Sequence, residues 1–213
     1  MQNQAMKKEK ELDLSTEEKI KNAARIVFHQ KGFSGTRTRD IAEEAGINLA
    51  LLNYYFRSKE NLFDLIMLEA MQDFLNAITS VCNDATTSLE TKIETIVANY
   101  IDTLTERPDI PLFVLNELKR NPEKLSEKLG INKIFFGSVF MEQILERILK
   151  SKNRNPIHPL HFIINLLSLT VFPFIAKPMI KGLAYLPDEE FNELMQERKT
   201  LIPIWIDALL KTI

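Results

Sequence analysis

The 213-residue chain is poor in glycine, with six, and holds one cysteine, one tryptophan and three histidines. So few glycines argue against a sheet architecture strung on tight turns. A lone cysteine, Cys82, excludes an intramolecular disulfide and fits a reducing compartment. The first residues are polar and charged, with no apolar secretory core, so a cytoplasmic location is expected. No phosphate-binding Walker loop, dinucleotide fingerprint or HExxH run is present. Cys82 has no histidine near it in sequence, and His29 sits among apolar helix positions. His158 and His161, three apart at a helix start, have no thiol or carboxylate beside them to complete a metal set. Catalytic residues, metal and cofactor are therefore not expected. A helical enzyme stays only as the remainder when other readings fail.

Apolar residues make up 45% of the chain and charged ones 26%, enough for a core under a solvated surface. The formal charge is −2, but it is unevenly placed. Between Lys19 and Lys59 stand eight Lys/Arg against three Asp/Glu, a local net of +5. A basic segment on an otherwise acidic chain points to a polyanion partner at that end.

The pattern there is helical. Residues 1–14 read as a frayed polar stretch, and Ser15 with Glu18 forms a capping box that starts a helix. Ile20, Ala23, Ala24, Val27 and Phe28 give it an apolar stripe. Lys31-Gly32 ends it, and Phe33 folds back on the core. Its Lys19, Lys21 and Arg25 either lie near phosphate or simply face solvent. Thr38 is placed to cap a second helix carrying Ile41, Ala42 and Ala45. Gly46 stands where a helix ends in a left-handed residue. Asn48 caps a third helix, whose Leu52, Tyr55 and Phe56 share one face and whose Leu49 extends it a turn back. Two short helices joined by a glycine turn form the helix-turn-helix pattern, whose second helix enters the major groove of DNA. An ordinary helical hairpin has the same spacing.

Over Gly32 to Phe63 the chain resembles the DNA-binding domain of the TetR family of transcriptional regulators. Gly32-Phe33, Thr36, Ile41-Ala42, Ala45-Gly46, Tyr55-Phe56 and Lys59-Glu60 carry the match. The resemblance implies an all-α protein of two domains: residues 1–60 for DNA binding, and residues 61–213 for ligand binding and dimerisation. It implies that Thr38, Tyr55 and Lys59 face phosphates, and that Asn48, Leu49, Ala50, Asn53 and Tyr54 are presented to the duplex. The family often has Lys-Gly where this chain has Leu49-Ala50, and Tyr where it has Asn53. A cationic contact is thus lost and an amide gained, and Asn pairs well with adenine. The implied function is a repressor released from a palindromic operator on double-stranded DNA by a small-molecule effector. A DNA-binding protein governed by a protein partner is the alternative.

Beyond the motif, Ser58 caps a fourth helix reaching about Cys82, and Thr87 with Glu90 forms a second capping box. Pro108 and Pro111 break the next helix, and the following one stops near Asn121-Pro122. Residues 122–131 read as a loop or a loose short helix, and another helix spans 132–152. Residues 155–176 contain no Asp, Glu, Lys or Arg. Their length suits a membrane span, but Pro, His, Asn, Ser and Thr dilute the run, so a helix of 159–181 buried on two sides is expected, kinked at Pro173, with no membrane partner. A last helix covers 188–211. By the resemblance these two helices form the homodimer bundle, through Leu166, Leu169, Phe172, Trp205, Ile206 and Leu209. It also implies a cavity between 88 and 181 for a small apolar or aromatic ligand, with Phe113, Phe135, Phe136, Phe140, Met141, Phe162 and Phe172 as wall candidates. Aromatics at helical spacing suit plain core equally.

Overall fold

The computed structural model describes residues 2–120, 122–129, 137–150 and 158–212. All regular structure among them is α-helical, in eleven helices that form two compact units, Met1–Ala70 and Met71–Ile213.

The first unit holds α1 (Gln2–Gly35), α2 (Thr38–Glu44), α3 (Leu49–Phe56) and the start of α4 (Lys59–Asn83). Helix α1 begins well before Ser15, because the preceding Gln, Ala, Lys, Glu and Leu residues are good helix formers. Ser15 thus lies inside the helix and is not its cap. The stripe of Ile20, Ala23, Ala24, Val27 and Phe28 is buried, as its period requires. At Gly32 the backbone turns to φ 66°, a region open to glycine, and the helix breaks. Phe33 folds back there, stacking on Phe28 at 6.2 Å and meeting Phe63 of α4 at 4.7 Å.

The second unit is built around α5 (Leu89–Glu106), which packs against α8 (Val139–Lys150), α9 (Pro159–Ile175) and α11 (Asp188–Thr212). Its Leu89, Ile93, Ile96, Val97, Ile101 and Leu104 are buried. Ser88, not Thr87, is its cap, accepting the Thr91 N–H at 3.2 Å. Thr87 instead receives the ammonium of Lys92, a fully buried side chain, through both its carbonyl (2.7 Å) and its hydroxyl (3.0 Å).

Helix α6 (Ile110–Arg120) has Pro111 in its first turn, and α7 (Pro122–Leu129) is a regular helix whose buried residues include Leu125 and Leu129. Helix α8 starts at Val139, after Ser138, whose hydroxyl accepts the Met141 N–H. The expected start at residue 132 lies outside the described residues. His158 caps α9, its ring nitrogen accepting the Leu160 N–H at 3.2 Å. The expected 159–181 helix is two: α9 meets α10 (Lys177–Ala184) at a bend of 67°. Pro173 removes the bond to the Leu169 carbonyl within α9 just before that junction, and Pro178, in the first turn of α10, brings no N–H to reach back across it. Lys177 and Lys181 then hold Asp188, the first residue of α11, at 2.6 and 3.1 Å.

Candidate nucleic-acid interface

Helices α2 and α3 are joined by a compact turn. The N–H of Gly46 reaches the Glu43 carbonyl and that of Ile47 the Ala42 carbonyl, the paired bonds of a Schellman motif. Gly46 takes φ 61°, which a side chain would strain. Asn48 caps α3 as expected, its Oδ1 accepting the Leu51 N–H at 2.8 Å. The cap of α2 differs from expectation. Arg37 is the capping residue, and Asp40 reaches back to its backbone N–H at 3.0 Å, so Thr38 opens the helix. That N–H, with Lys31 beside it at 3.1 Å, holds the Asp40 carboxyl below the usual range.

Leu52 and Phe56 are buried, and they anchor α3 on the unit's core. Its opposite side presents Ala50, Asn53 and Tyr54 to solvent, with Tyr54 75% exposed. Asn48 is exposed, and Thr38, Leu49 and Tyr55 are half-buried at the margins. Tyr55 meets Tyr54 edge-to-face at 5.3 Å. Six of these seven residues belong to α3 or its cap, and Thr38 opens α2.

Lys59 behaves differently. Its ammonium donates to the carbonyls of Phe33 (2.8 Å) and Thr36 (3.0 Å) and lies 4.2 Å from the centre of the Phe33 ring. The sequence reading placed it toward phosphate. In the structure most of its donor capacity closes the open carbonyls at the end of α1, a position that favours cations. Thr36 is buried beside it, its hydroxyl donating to the Gly32 carbonyl at 2.7 Å.

The basic segment also divides. On α1, Lys21 and Arg25 pair with Glu69 of α4, at 2.9 and 2.6 Å, and both also reach Glu18. Among the described residues, Lys19, Arg37, Arg39 and Arg57 have no carboxylate within ion-pairing range, and all four are exposed. The sequence reading assigned no role to Arg37, Arg39 or Arg57 beyond their charge. Arg57 sits at φ 58° in a tight turn, closed by the Ser58 N–H on the Phe56 carbonyl, between α3 and α4. Nothing in its residue type signals that backbone.

In the second unit, Phe113, Phe140, Met141 and Phe162 are buried, with Phe140 and Phe162 6.1 Å apart. Phe172 is 55% exposed and is not part of that cluster, because its turn of α9 faces outward. Phe135 and Phe136 lie outside the described residues. Of the residues expected at a dimer face, Phe172, Trp205 and Leu209 are exposed and Leu169 is half-buried. Leu166 and Ile206 are buried within the chain itself, on faces of their helices turned away from the exposed side.

Comparison with known proteins adds three findings. The model of the family described as bacterial regulatory proteins, tetR family, matches residues 20–66. The chain is 27% identical over 204 residues to "Probable HTH-type transcriptional regulator YttP" of Bacillus subtilis (strain 168), covering 94% of this chain and 97% of that protein. Two solved structures share its fold at 18% identity and a TM-score of 0.63 each. One is a TetR transcription regulator from Haloarcula marismortui ATCC 43049, with 91% of this chain and 97% of that one covered. The other is a transcriptional regulator of the TetR/AcrR family from Thermobifida fusca YX-ER1, with 88% and 96% covered.

Proposed function

We propose that this chain is a homodimeric repressor of the TetR family, one that leaves a palindromic operator when a small effector binds its second unit. The observation that carries the reading is the surface of α3. Ala50, Asn53 and Tyr54 stand out from a helix anchored by Leu52 and Phe56. In the same unit, Arg37, Arg39 and Arg57 are exposed cations without carboxylate partners among the described residues. That is a base-reading face within a cationic margin. Thr38 and Tyr55 at its edges suit phosphate contacts. The DNA-binding domain, expected at residues 1–60 and lying within the unit Met1–Ala70, supplies this head.

The effector is a small apolar or aromatic molecule, taken up near Phe113, Phe140, Met141 and Phe162. All four are buried and the Phe140 and Phe162 rings are 6.1 Å apart, apolar surroundings of the kind that favour apolar ligands. Two heads are needed because one recognition helix spans only a few base pairs. The exposed apolar residues of α9 and α11 offer the means of pairing.

The test is protection of the DNA that flanks its own coding region. A palindromic site should be covered, with affinity falling steeply as salt rises. Equal binding to every duplex, with no protected palindrome, would overturn the repressor reading.

A further inference from the structure

Pro203 stands inside α11 and brings no N–H, so the carbonyl of Lys199, four residues earlier, loses the partner a regular helix would give it. Pro173 opens the Leu169 carbonyl of α9 in the same way, and there Arg198 donates to it at 2.7 Å. Among the described residues, no side chain does this for the Lys199 carbonyl. Lys199, Thr200 and Pro203 line a groove of about 740 Å³ between α5, α8 and α11, all within the second unit. A helical carbonyl points along the axis toward the residue four places on, so this one lies on the Pro203 side, at the groove wall.

The lining is apolar in part. Ile93 and Leu210 are buried, Pro203 is half-buried and Ile204 is 57% exposed. Its charged groups are unevenly engaged. Arg147 pairs with Glu90 at 3.7 Å and Lys211 with Asp207 at 2.6 Å, while Lys199 turns to Asp102, which does not line the groove. Each lining cation therefore has a carboxylate. Glu94 is exposed, and no cation among the described residues lies within ion-pairing range of it. The groove is left with two acceptors, the Glu94 carboxylate and the Lys199 carbonyl, and with no unpaired cation to answer them.

We propose that this groove is a binding site for an amphiphilic organic cation, a primary ammonium on a short apolar chain. The ammonium donates to Glu94 and to the Lys199 carbonyl, and the chain lies along Ile93, Pro203 and Ile204. An ammonium fits because it has three donors and no acceptor, and its bond to a carboxylate is charge-assisted. An anion would meet carboxylates and no free cation, and a neutral apolar molecule would use neither acceptor. The volume is that of a small-molecule site. It is a different place from the effector position proposed above, because none of Phe113, Phe140, Met141 and Phe162 lines it. It also leaves free the exposed apolar stripe of α11, Leu194, Leu201, Trp205 and Leu209, each more than a third exposed.

The experiment is calorimetric titration of the full chain with three probes of equal chain length: hexylammonium, hexanoate and 1-hexanol. Hexylammonium should bind at least about tenfold more tightly than either of the others, the weight of one charge-assisted bond. Glu94→Gln should abolish that preference. In Pro203→Ala the residue at 203 has its own N–H for the Lys199 carbonyl, so hexylammonium should bind about fivefold more weakly, the weight of one hydrogen bond, with 1-hexanol unchanged. Equal binding of the three probes would overturn the proposal, as would an ammonium preference that survives either replacement undiminished.

Discussion

Lys59 has one ammonium and two competing tasks. In a phosphate contact, its loss would weaken binding to all DNA and lower the magnitude of the salt slope by about 1 per contact. In the structure its donors go to the carbonyls of Phe33 and Thr36. Lys59→Met should therefore leave the salt slope unchanged and lower stability by about 1.5–3 kcal/mol, the range for bonds to a charged group. Thermal unfolding and affinity at several salt concentrations check both halves. Asn53 is proposed as a reader on the same accounting: it is exposed, mid-helix and able to bond adenine in two places. Asn53→Ala should relax selectivity at one base pair of each half-site by about 1–3 kcal/mol, measured across operator variants. A uniform loss would remove it from base reading. Cys82 makes the opposite kind of prediction. Burial pushes its thiol up to about 11, so at pH 8 it stays protonated and shielded. A thiol reagent should label it only on unfolding, and fast labelling of the native chain would contradict the burial.

Helix boundaries show how far local chemistry can be read. The α2–α3 turn was legible because glycine at Gly46 and the cap at Asn48 each have one conformational meaning. The caps of α2 and α5 were each misplaced by one residue. Runs of Thr, Ser and Asp offer several hydroxyls or carboxylates, and the hydrogen bonds decide among them. The bend between α9 and α10 was only half legible. Pro173 announced a kink, but the break falls after Ile175, where Pro178 adds its own missing donor. The backbone at Arg57 was not legible at all, since arginine carries no sign of a positive φ. Two replacements use this contrast. Gly46→Ala should destabilise the first unit by about 1–2 kcal/mol, the cost of a Cβ in the left-handed region. Arg57→Gly should raise the unfolding temperature, because relief of strain, of order 1–3 kcal/mol, exceeds glycine's entropic cost of roughly 0.5–1 kcal/mol. A lower unfolding temperature for Arg57→Gly would mean that the side chain, and not the turn, governs stability there.

For the whole molecule, the decisive fact is which faces of α9 and α11 a single chain already uses. The sequence marks the first as apolar on more than one side and gives the second a run of apolar positions. It cannot say which side meets the chain's own core, because Leu, Ile and Phe serve either purpose. Thus Ile206 and Trp205, adjacent in sequence, have opposite fates: Ile206 is fully buried and Trp205 is 38% exposed. That contrast separates folding from assembly. Ile206→Asp puts a carboxylate into the core of the second unit and should unfold it, since an unpaired buried charge is among the most destabilising changes known. Trp205→Asp places the same carboxylate on the partly open stripe, where it costs less in an isolated chain than a core carboxylate and much beneath a second copy. It should give a folded monomer with a cooperative thermal transition. Its DNA-binding unit should remain helical yet hold an operator only weakly, because two heads about 34–36 Å apart, or a multiple of that, are needed to read a palindrome along one face of the duplex. Sedimentation gives the mass, circular dichroism the helicity, and titration the affinity. If Trp205→Asp stayed dimeric and bound its operator as tightly as the parent chain, the exposed stripe of α11 would not be the dimer face, and the palindromic operator would lose its structural basis.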